Sequence, residues 1–290
     1  MAVFVCLRRK DQIMKSVSIP GRGAEQRLIY KVVGDKELEM IYYEPKVRTK
    51  SPAPIYLTIT GGGWHSGSAD SMVGFSRQSI DYALEHGYAV ASPMYRLSGE
   101  GVNMRQIISD CMDSCRYLAH FKKELGVDPE RIVTSGHSAG GHLALMLALA
   151  PHGLFTEQSL YDDDFSVIAT APMSPPTVLY TKGVPQTLAF SVSEIFPQMT
   201  EEDFQDTSPI KYINAQSCPC LTIAGDKDNL VFPVSSEILV ERYREVGAPA
   251  EIVFSHNGGH CFECMVPGAV SSPDFNQVQQ ILIEFLNRFI

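Results

Sequence analysis

The chain has little that would tie it to nucleic acid or to a membrane. Its 24 lysines and arginines are outnumbered by 33 aspartates and glutamates, leaving a net charge of −9. With no basic cluster among them, nucleic acid and anionic membrane surfaces are not expected partners. No apolar run approaches the roughly 18 residues of a bilayer span. The N-terminal MAVFVCLRRK places its apolar run ahead of its positive charges, the reverse of a secretory signal, and no small-residue cleavage site follows. The expected location is therefore cytoplasmic. Seven cysteines, an odd number scattered through helix, strand and loop patterns, argue against a disulfide framework and for reduced thiols.

Linkers, repeats and low-complexity tracts are lacking as well, so residues 1–290 are predicted to form one domain. An apolar content of 44% and a charged content of 20% match ordinary globular chains and exclude disorder. Eight strand-like runs follow one another: Arg27 to Val33, Leu38 to Glu44, Ile55 to Thr60, Tyr88 to Pro93, Arg131 to Ser135, Ser166 to Ala171, Cys220 to Gly225 and Glu251 to Ser255. The first two alternate in polarity and suit an antiparallel edge, whereas the later ones are almost continuously apolar, as strands covered on both faces are.

Helical patterns fill the intervals at about Ser71 to His86, Asn103 to Leu125, Ser138 to Ala150, Val234 to Val246 and Pro273 to Phe289. Such alternation predicts an α/β protein, a mostly parallel eight-stranded sheet with helices on both faces. Ligands of such sheets bind beyond the carboxyl ends of the strands. One long Pro-studded stretch, 172–215, breaks the rhythm and reads as a small cap-like insertion over the site. The acidic YDDDF at Tyr161 to Phe165 reads as a solvated loop.

The GHSAG of Gly136 to Gly140 has a strand before it and a helix after it. G-x-S-x-G in that context is a nucleophile elbow: the glycines leave room for a tight turn that projects the serine hydroxyl above the sheet. Ser138 is the expected nucleophile. A helix N-cap is the bland reading.

A serine hydroxyl needs a general base, and the base needs a carboxylate to orient it. His260, in FSHNGGHCFE, follows the last strand at the proper end of the sheet and ranks first, with His256 a rival in the same loop. His137 holds a variable position of the motif, and His142 lies one helical turn onward, pointing away from the attack side. The carboxylate is expected between serine and histidine in sequence, where CLTIAGDKDNLVFP offers Asp226 and Asp228. Asp226 directly follows the strand and could cap the turn, so Asp228, further out, is preferred; an Asx turn is the bland reading for either. Donors for an oxyanion are expected from TGGGWHSG, Thr60 to Gly67: the N–H groups of Gly62 and Gly63, with that of Ala139. Trp64, the single tryptophan, either walls the pocket or packs beneath this loop.

Together, TGGGWHSG, YRLSGEG, GVDPERIVTSGHSAGGHLA, DTSPIKYI, GDKDNLVFP and NGGHCF resemble the α/β-hydrolase superfamily, in its esterase branch near hormone-sensitive-lipase-like and bacterial feruloyl or acetyl esterases of the BD-FAE type. The resemblance runs from about Leu38 to the C-terminus. It implies a serine hydrolase without cofactor or metal, acting on small-molecule esters through Ser138, Asp228 and His260, with Gly62, Gly63 and Ala139 around the oxyanion. One departure stands out: Thr60 occupies the place where the family has histidine before its three glycines, a residue thought to brace the loop.

Short-acyl ester hydrolysis is the leading expectation. Amide hydrolysis of the arylformamidase or prolyl-oligopeptidase kind remains the alternative, and a non-catalytic binding protein of this fold a more distant one. HCFEC, Cys261 and Cys264 beside His260, has C-x-x-C spacing, but without a second such pair these cysteines are expected to be small packing residues rather than metal ligands. Assembly into a homo-oligomer stays open.

Overall fold

The computed structural model describes residues 25–47, 52–180 and 192–290. Eight strands join one sheet in the order β1-β2-β4-β3-β5-β6-β7-β8. They are β1 Glu25–Val33, β2 Lys36–Tyr43, β3 Ala53–Ile59, β4 Ala89–Pro93, β5 Val127–His137, β6 Val167–Met173, β7 Cys220–Gly225 and β8 Ala250–Ser255. The two alternating runs do form the antiparallel edge: β1 pairs antiparallel with β2, and β2 with β4. Every later pairing is parallel.

β5 starts earlier than expected. Val127 already pairs with Ala53 upstream of Pro129, and the register slips between Ala53 and Ile55 before regular pairing resumes at Ile132. An irregularity of this kind accommodates a residue that cannot donate to the ladder.

Two expected helices are each broken in two. The pattern from Ser71 becomes α1 Ala69–Phe75 and α2 Arg77–Glu85, parted at Ser76 (φ −96°, ψ 22°), where the Ser79 hydroxyl donates to the Ser76 carbonyl at 3.0 Å. Serine hydroxyls that compete for backbone carbonyls in this way weaken helix continuity. The next pattern divides at Phe121 into α3 Met104–His120 and α4 Lys122–Leu125, and α3 begins at a reciprocal Asn103–Gln106 capping box. The remaining helices are α5 Ala139–Leu149, α6 Glu201–Asp206, α7 Val234–Glu245 and α8 Phe275–Leu286.

Apolar residues of α3 and α5 cover one face of the sheet, including Ile107, Met112, Leu143 and Met146. Those of α1, α2 and α8 cover the other, including Met72, Ile80, Val278 and Leu282. Of the expected insertion at 172–215, residues 181–191 lie outside the described residues; Val178, Leu179, Val192 and Phe196 from its described parts are buried.

One buried charge cluster matters for the site. Lys31 of β1 lies 2.9 Å from Asp110 and 2.7 Å from Asp113 of α3, with all three side chains fully buried. Arg96 forks onto Asp110 at 2.7 and 2.8 Å, and Arg116 meets Asp113 at 2.7 Å. Removing one member of such a network strands a buried charge, which costs about 3–5 kcal/mol. The cluster thus pins Arg96, and with it the adjacent Tyr95, just past the carboxyl end of β4. Among the described residues no helix is long and apolar enough to cross a membrane.

Candidate active site

Ser138 sits between β5 and α5 with φ 57° and ψ −122°, a left-handed backbone that costs a non-glycine residue of order 1–3 kcal/mol. Its surroundings hold it there: the Ser138 N–H donates to the Met173 carbonyl at 2.8 Å, and the His142 N–H donates back to the Ser138 carbonyl at 3.0 Å. Both flanking glycines are required by space. A Cβ on Gly136 would come 2.4 Å from the Gly140 carbonyl, and one on Gly140 would come 2.0 Å from the Ile59 carbonyl oxygen. The side chain is nearly buried, at 8% exposure.

The glycine loop after β3 lies directly against this turn. A Cβ on Gly61 would meet the His137 carbonyl oxygen at 2.7 Å and the Ser138 Cβ at 3.4 Å. Gly62 (φ 102°) and Gly63 (φ 62°) take conformations that side chains avoid. The Gly62 carbonyl is turned inward, accepting from the N–H groups of His65 and Ser66 at 3.1 and 2.9 Å and from the Ser66 hydroxyl at 3.1 Å. Ala139 opens α5, and the first N–H groups of a helix have no acceptor within it.

Tyr95, which the sequence did not single out, supports the base of this loop. Its hydroxyl donates to the Thr60 carbonyl at 3.0 Å and reaches the Gly61 carbonyl at 3.4 Å. Brace and loop therefore meet through the loop's backbone, whatever side chain stands at 60.

Trp64 is fully buried, so it packs beneath the loop and does not wall an open pocket. Its indole N–H donates to His142 Nδ1 at 3.3 Å, and His142 Nε2 donates to the Thr207 carbonyl at 2.7 Å. That chain links glycine loop, elbow helix and insertion through three buried groups. Burial pushes the His142 imidazole down to about 4, so it stays neutral, with its proton on the nitrogen that faces a carbonyl.

Asp228 and His260 meet as partners. His260 Nδ1 donates to Asp228 Oδ2 at 2.7 Å, while Oδ1 accepts the N–H groups of Leu230 and Val231, both at 2.9 Å. Burial pushes the Asp228 carboxyl up, but the hydrogen bond and charge of His260 and the two backbone donors outweigh it and hold the group below its ordinary value. The Asp228 side chain is fully buried.

The two rivals form a pair of their own. His256 Nδ1 donates to Asp226 Oδ2 at 2.8 Å, and Asp226 Oδ1 takes the Asn257 N–H at 2.7 Å. This second pair staples the loops after β7 and β8 together, out in solvent, with the His256 side chain 70% exposed.

His137 also proves to be more than a spacer. Its Nε2 donates to the backbone carbonyl of His260 at 2.7 Å, and its ring lies 4.6 Å from that of His260. The variable position of the motif carried no signal of this, because the contact spans 123 residues. Beside the loop opens a cavity of about 230 Å³, lined in part by Thr60, Gly61, Gly62, Met72, Phe75 and His137.

Cys261 and Cys264 are exposed and unbridged, not the packing residues expected: the tight turn around Gly259 puts Phe262, not the cysteines, into the core. No group of three or more His, Cys, Asp and Glu able to hold a metal occurs among the described residues. The YDDDF loop is only partly solvated, since Tyr161 and Phe165 are buried while Asp163 and Asp164 pair with His120 and His152.

The BD-FAE family model matches residues 40–243. Among curated relatives, a probable carboxylic ester hydrolase, LipM, of Mycobacterium tuberculosis is 27% identical over 257 residues, covering 84% of this chain and 57% of that protein. Esterase LipQ of the same organism is 24% identical over 270 residues, 88% of this chain and 62% of its own length. The chain thus spans about three-fifths of the length of these relatives. Among solved structures, the thermophilic esterase Est2 of Thermogutta terrifontis with propionate bound superposes with a TM-score of 0.75 at 26% identity, covering 93% of this chain and 96% of that one.

Proposed function

Because the chain belongs to the BD-FAE family and has the α/β-hydrolase fold of its solved neighbour, we propose that it is a serine carboxylesterase acting on small esters of short acyl groups. Ser138 Oγ attacks the ester carbonyl and passes its proton to His260 Nε2. The negative oxygen of the tetrahedral intermediate takes hydrogen bonds from the N–H groups of Ala139, Gly62 and Gly63, each worth roughly 3 kcal/mol in such a setting. His260 Nε2 then protonates the leaving alkoxide, and a water activated by the same nitrogen releases the acid and restores the serine. Asp228 stays ionised throughout; its bond to Nδ1 fixes the tautomer and stabilises the imidazolium.

One observation carries this reading: a histidine bonded to a buried carboxylate at 2.7 Å has its own backbone tied to the residue preceding a strained serine. The propionate-bound relative supports the short-acyl substrate class. The test is a panel of nitrophenyl esters graded by acyl length, with aryl formamides, acetylated sugars and feruloyl esters alongside, run on wild type and Ser138→Ala. Turnover should peak at short acyl groups, vanish in the variant, and be blocked by a fluorophosphonate on Ser138. Preference for long-chain lipids would overturn the substrate class, and folded protein that takes no fluorophosphonate would overturn the hydrolase.

A further inference from the structure

We propose that His137, the residue before the nucleophile, is a positioning residue that sets the height and tilt of the His260 base through its hydrogen bond to the His260 carbonyl. The inference rests on the triad reading above. An imidazole that must reach a serine has two things to fix. Asp228 fixes the first, rotation of the ring, through Nδ1. The second is where the backbone of residue 260 stands, whereas the Asp228 carboxylate spends its other hydrogen bonds on Leu230 and Val231.

The turn around His260 is bonded to itself and to the β7 loop: the Gly259 N–H donates to the Glu263 carbonyl at 2.8 Å, the Cys261 N–H to Glu263 Oε2 at 2.8 Å and the Lys227 N–H to the Gly258 carbonyl at 2.9 Å. None of these bonds reaches the His260 carbonyl. The loop follows β8 with Gly258 and Gly259, and turns tightly through the Phe262 N–H donating to the Gly259 carbonyl at 3.1 Å, with Phe262 itself at φ 68°. Its outer side is exposed at Cys261 and Cys264. On the inner side two donors converge on the His260 carbonyl: His137 Nε2 at 2.7 Å and, more weakly, the Ser174 hydroxyl at 3.4 Å.

Of these the histidine is the better ruler. It belongs to the same backbone turn as Ser138, so base and nucleophile are referred to one rigid element. Its ring is clamped against Phe75 at 4.8 Å between centroids, with Phe262 at 6.4 Å. Burial lowers its pKa to about 4, with the nearby charge of His260 adding to the effect. It therefore remains neutral through the working range of an esterase, and the nitrogen facing a carbonyl must carry the proton. A neutral donor serves here better than a charged one, because a second cation beside His260 would oppose formation of the imidazolium.

The donor's position yields a sharp test. Gln places its amide nitrogen near that of Nε2, Asn places it near Nδ1, and Leu has none. Steady-state kinetics with nitrophenyl acetate, the smallest acyl group, keeps the cavity that His137 helps to line from dominating KM. His137→Leu and His137→Asn should lower kcat about 10- to 100-fold, the cost of misplacing a catalytic group by a fraction of an ångström to an ångström, with KM changed less than about threefold. His137→Gln should restore kcat to within about fivefold of wild type. Fluorophosphonate labelling of Ser138 should slow in the same order.

A purely structural role would lower the urea midpoint and leave the kcat of the folded fraction unchanged, and that outcome overturns the proposal. So does an equal fall in kcat for Gln and Asn, which remain comparable should the Leu variant fail to fold. Ser138→Ala separates the two levels: full turnover in that variant would remove the triad and this inference with it, whereas loss there with unchanged kcat in the His137 variants would remove the inference alone.

Discussion

Gly140→Ala is a severe test of how elbow and glycine loop are packed, because two opposing effects can be set side by side. Gly140 is the second residue of α5 and has an ordinary helical backbone, so alanine gains about 1 kcal/mol of helix propensity. Against this, its Cβ would lie 2.0 Å from the Ile59 carbonyl oxygen, 2.7 Å from the Ile59 carbonyl carbon and 2.7 Å from the Thr60 carbonyl oxygen. All three are backbone atoms and cannot swing aside as a side chain would. Reaching even the 3.0 Å that marks the tightest real contacts requires a displacement of about 1 Å. Ile59 cannot retreat freely, being paired with Gly136 across β3 and β5, while the Tyr95 hydroxyl holds Thr60 and Gly61.

Overpacking of this kind costs about 1–3 kcal/mol, so after the propensity gain the net loss of stability should be about 0–2 kcal/mol. Catalysis should suffer more. The shift separates Ser138 and Ala139 from Gly62 and Gly63, and a misplacement of 1 Å at reacting groups costs on the order of 100-fold. Urea unfolding followed by circular dichroism reads the first effect, and kcat on nitrophenyl acetate the second. Gly74→Ala in α1, where a Cβ would meet nothing within 4 Å, is the control and should be neutral or stabilising. A Gly140→Ala variant with wild-type midpoint and turnover would refute the close approach.

Two further outcomes can be measured. Tyr95→Phe removes the hydroxyl from the Thr60 and Gly61 carbonyls; stability should fall by about 1 kcal/mol and kcat by roughly 10-fold, and unchanged turnover would show that the loop holds itself. His137 and His142 are both pushed by burial down to about 4 from an ordinary 6.5, so between those values the unfolded chain takes up protons that the folded protein refuses. Their contribution to stability is present in full above pH 6.5 and is lost as pH falls towards 4, at about 1.4 kcal/mol per pH unit for each histidine. Urea titrations from pH 7 to pH 4 should show that slope, and His142→Gln should flatten it by one histidine's share; a slope unmoved by the substitution would contradict the assignment.

Much of this fold can be read from local pattern. All eight strands occur where β-branched and aromatic runs end in Gly, Pro or Ser, and the alternating polarity of the first two marks the antiparallel edge. Helix breaks were less legible. Ser76 and Phe121 part continuous apolar patterns through backbone geometry that periodicity does not register. Cys261 and Cys264 illustrate the limit on burial: a short apolar residue beside a glycine turn can face either way, and the turn sends Phe262 inward instead.

Local sequence marked the serine between its two glycines as the residue of a tight strand-to-helix turn, whereas the contact that excludes a side chain at Gly140 is made with Ile59 of the neighbouring strand. Local sequence also preferred Asp228 over Asp226 and His260 over His256. The structure brings Asp228 and His260 together in the buried position, and shows what the sequence did not, that Asp226 pairs with His256 at the surface. Separations of 30 and 32 residues are bridged only when β7 and β8 lie side by side. The same holds for Tyr95 under the glycine loop, Trp64 on His142, and His137 beneath the histidine loop. A hydrogen bond constrains two groups in space, and the spacing of residues along a chain carries no record of a contact made after the chain has crossed the sheet.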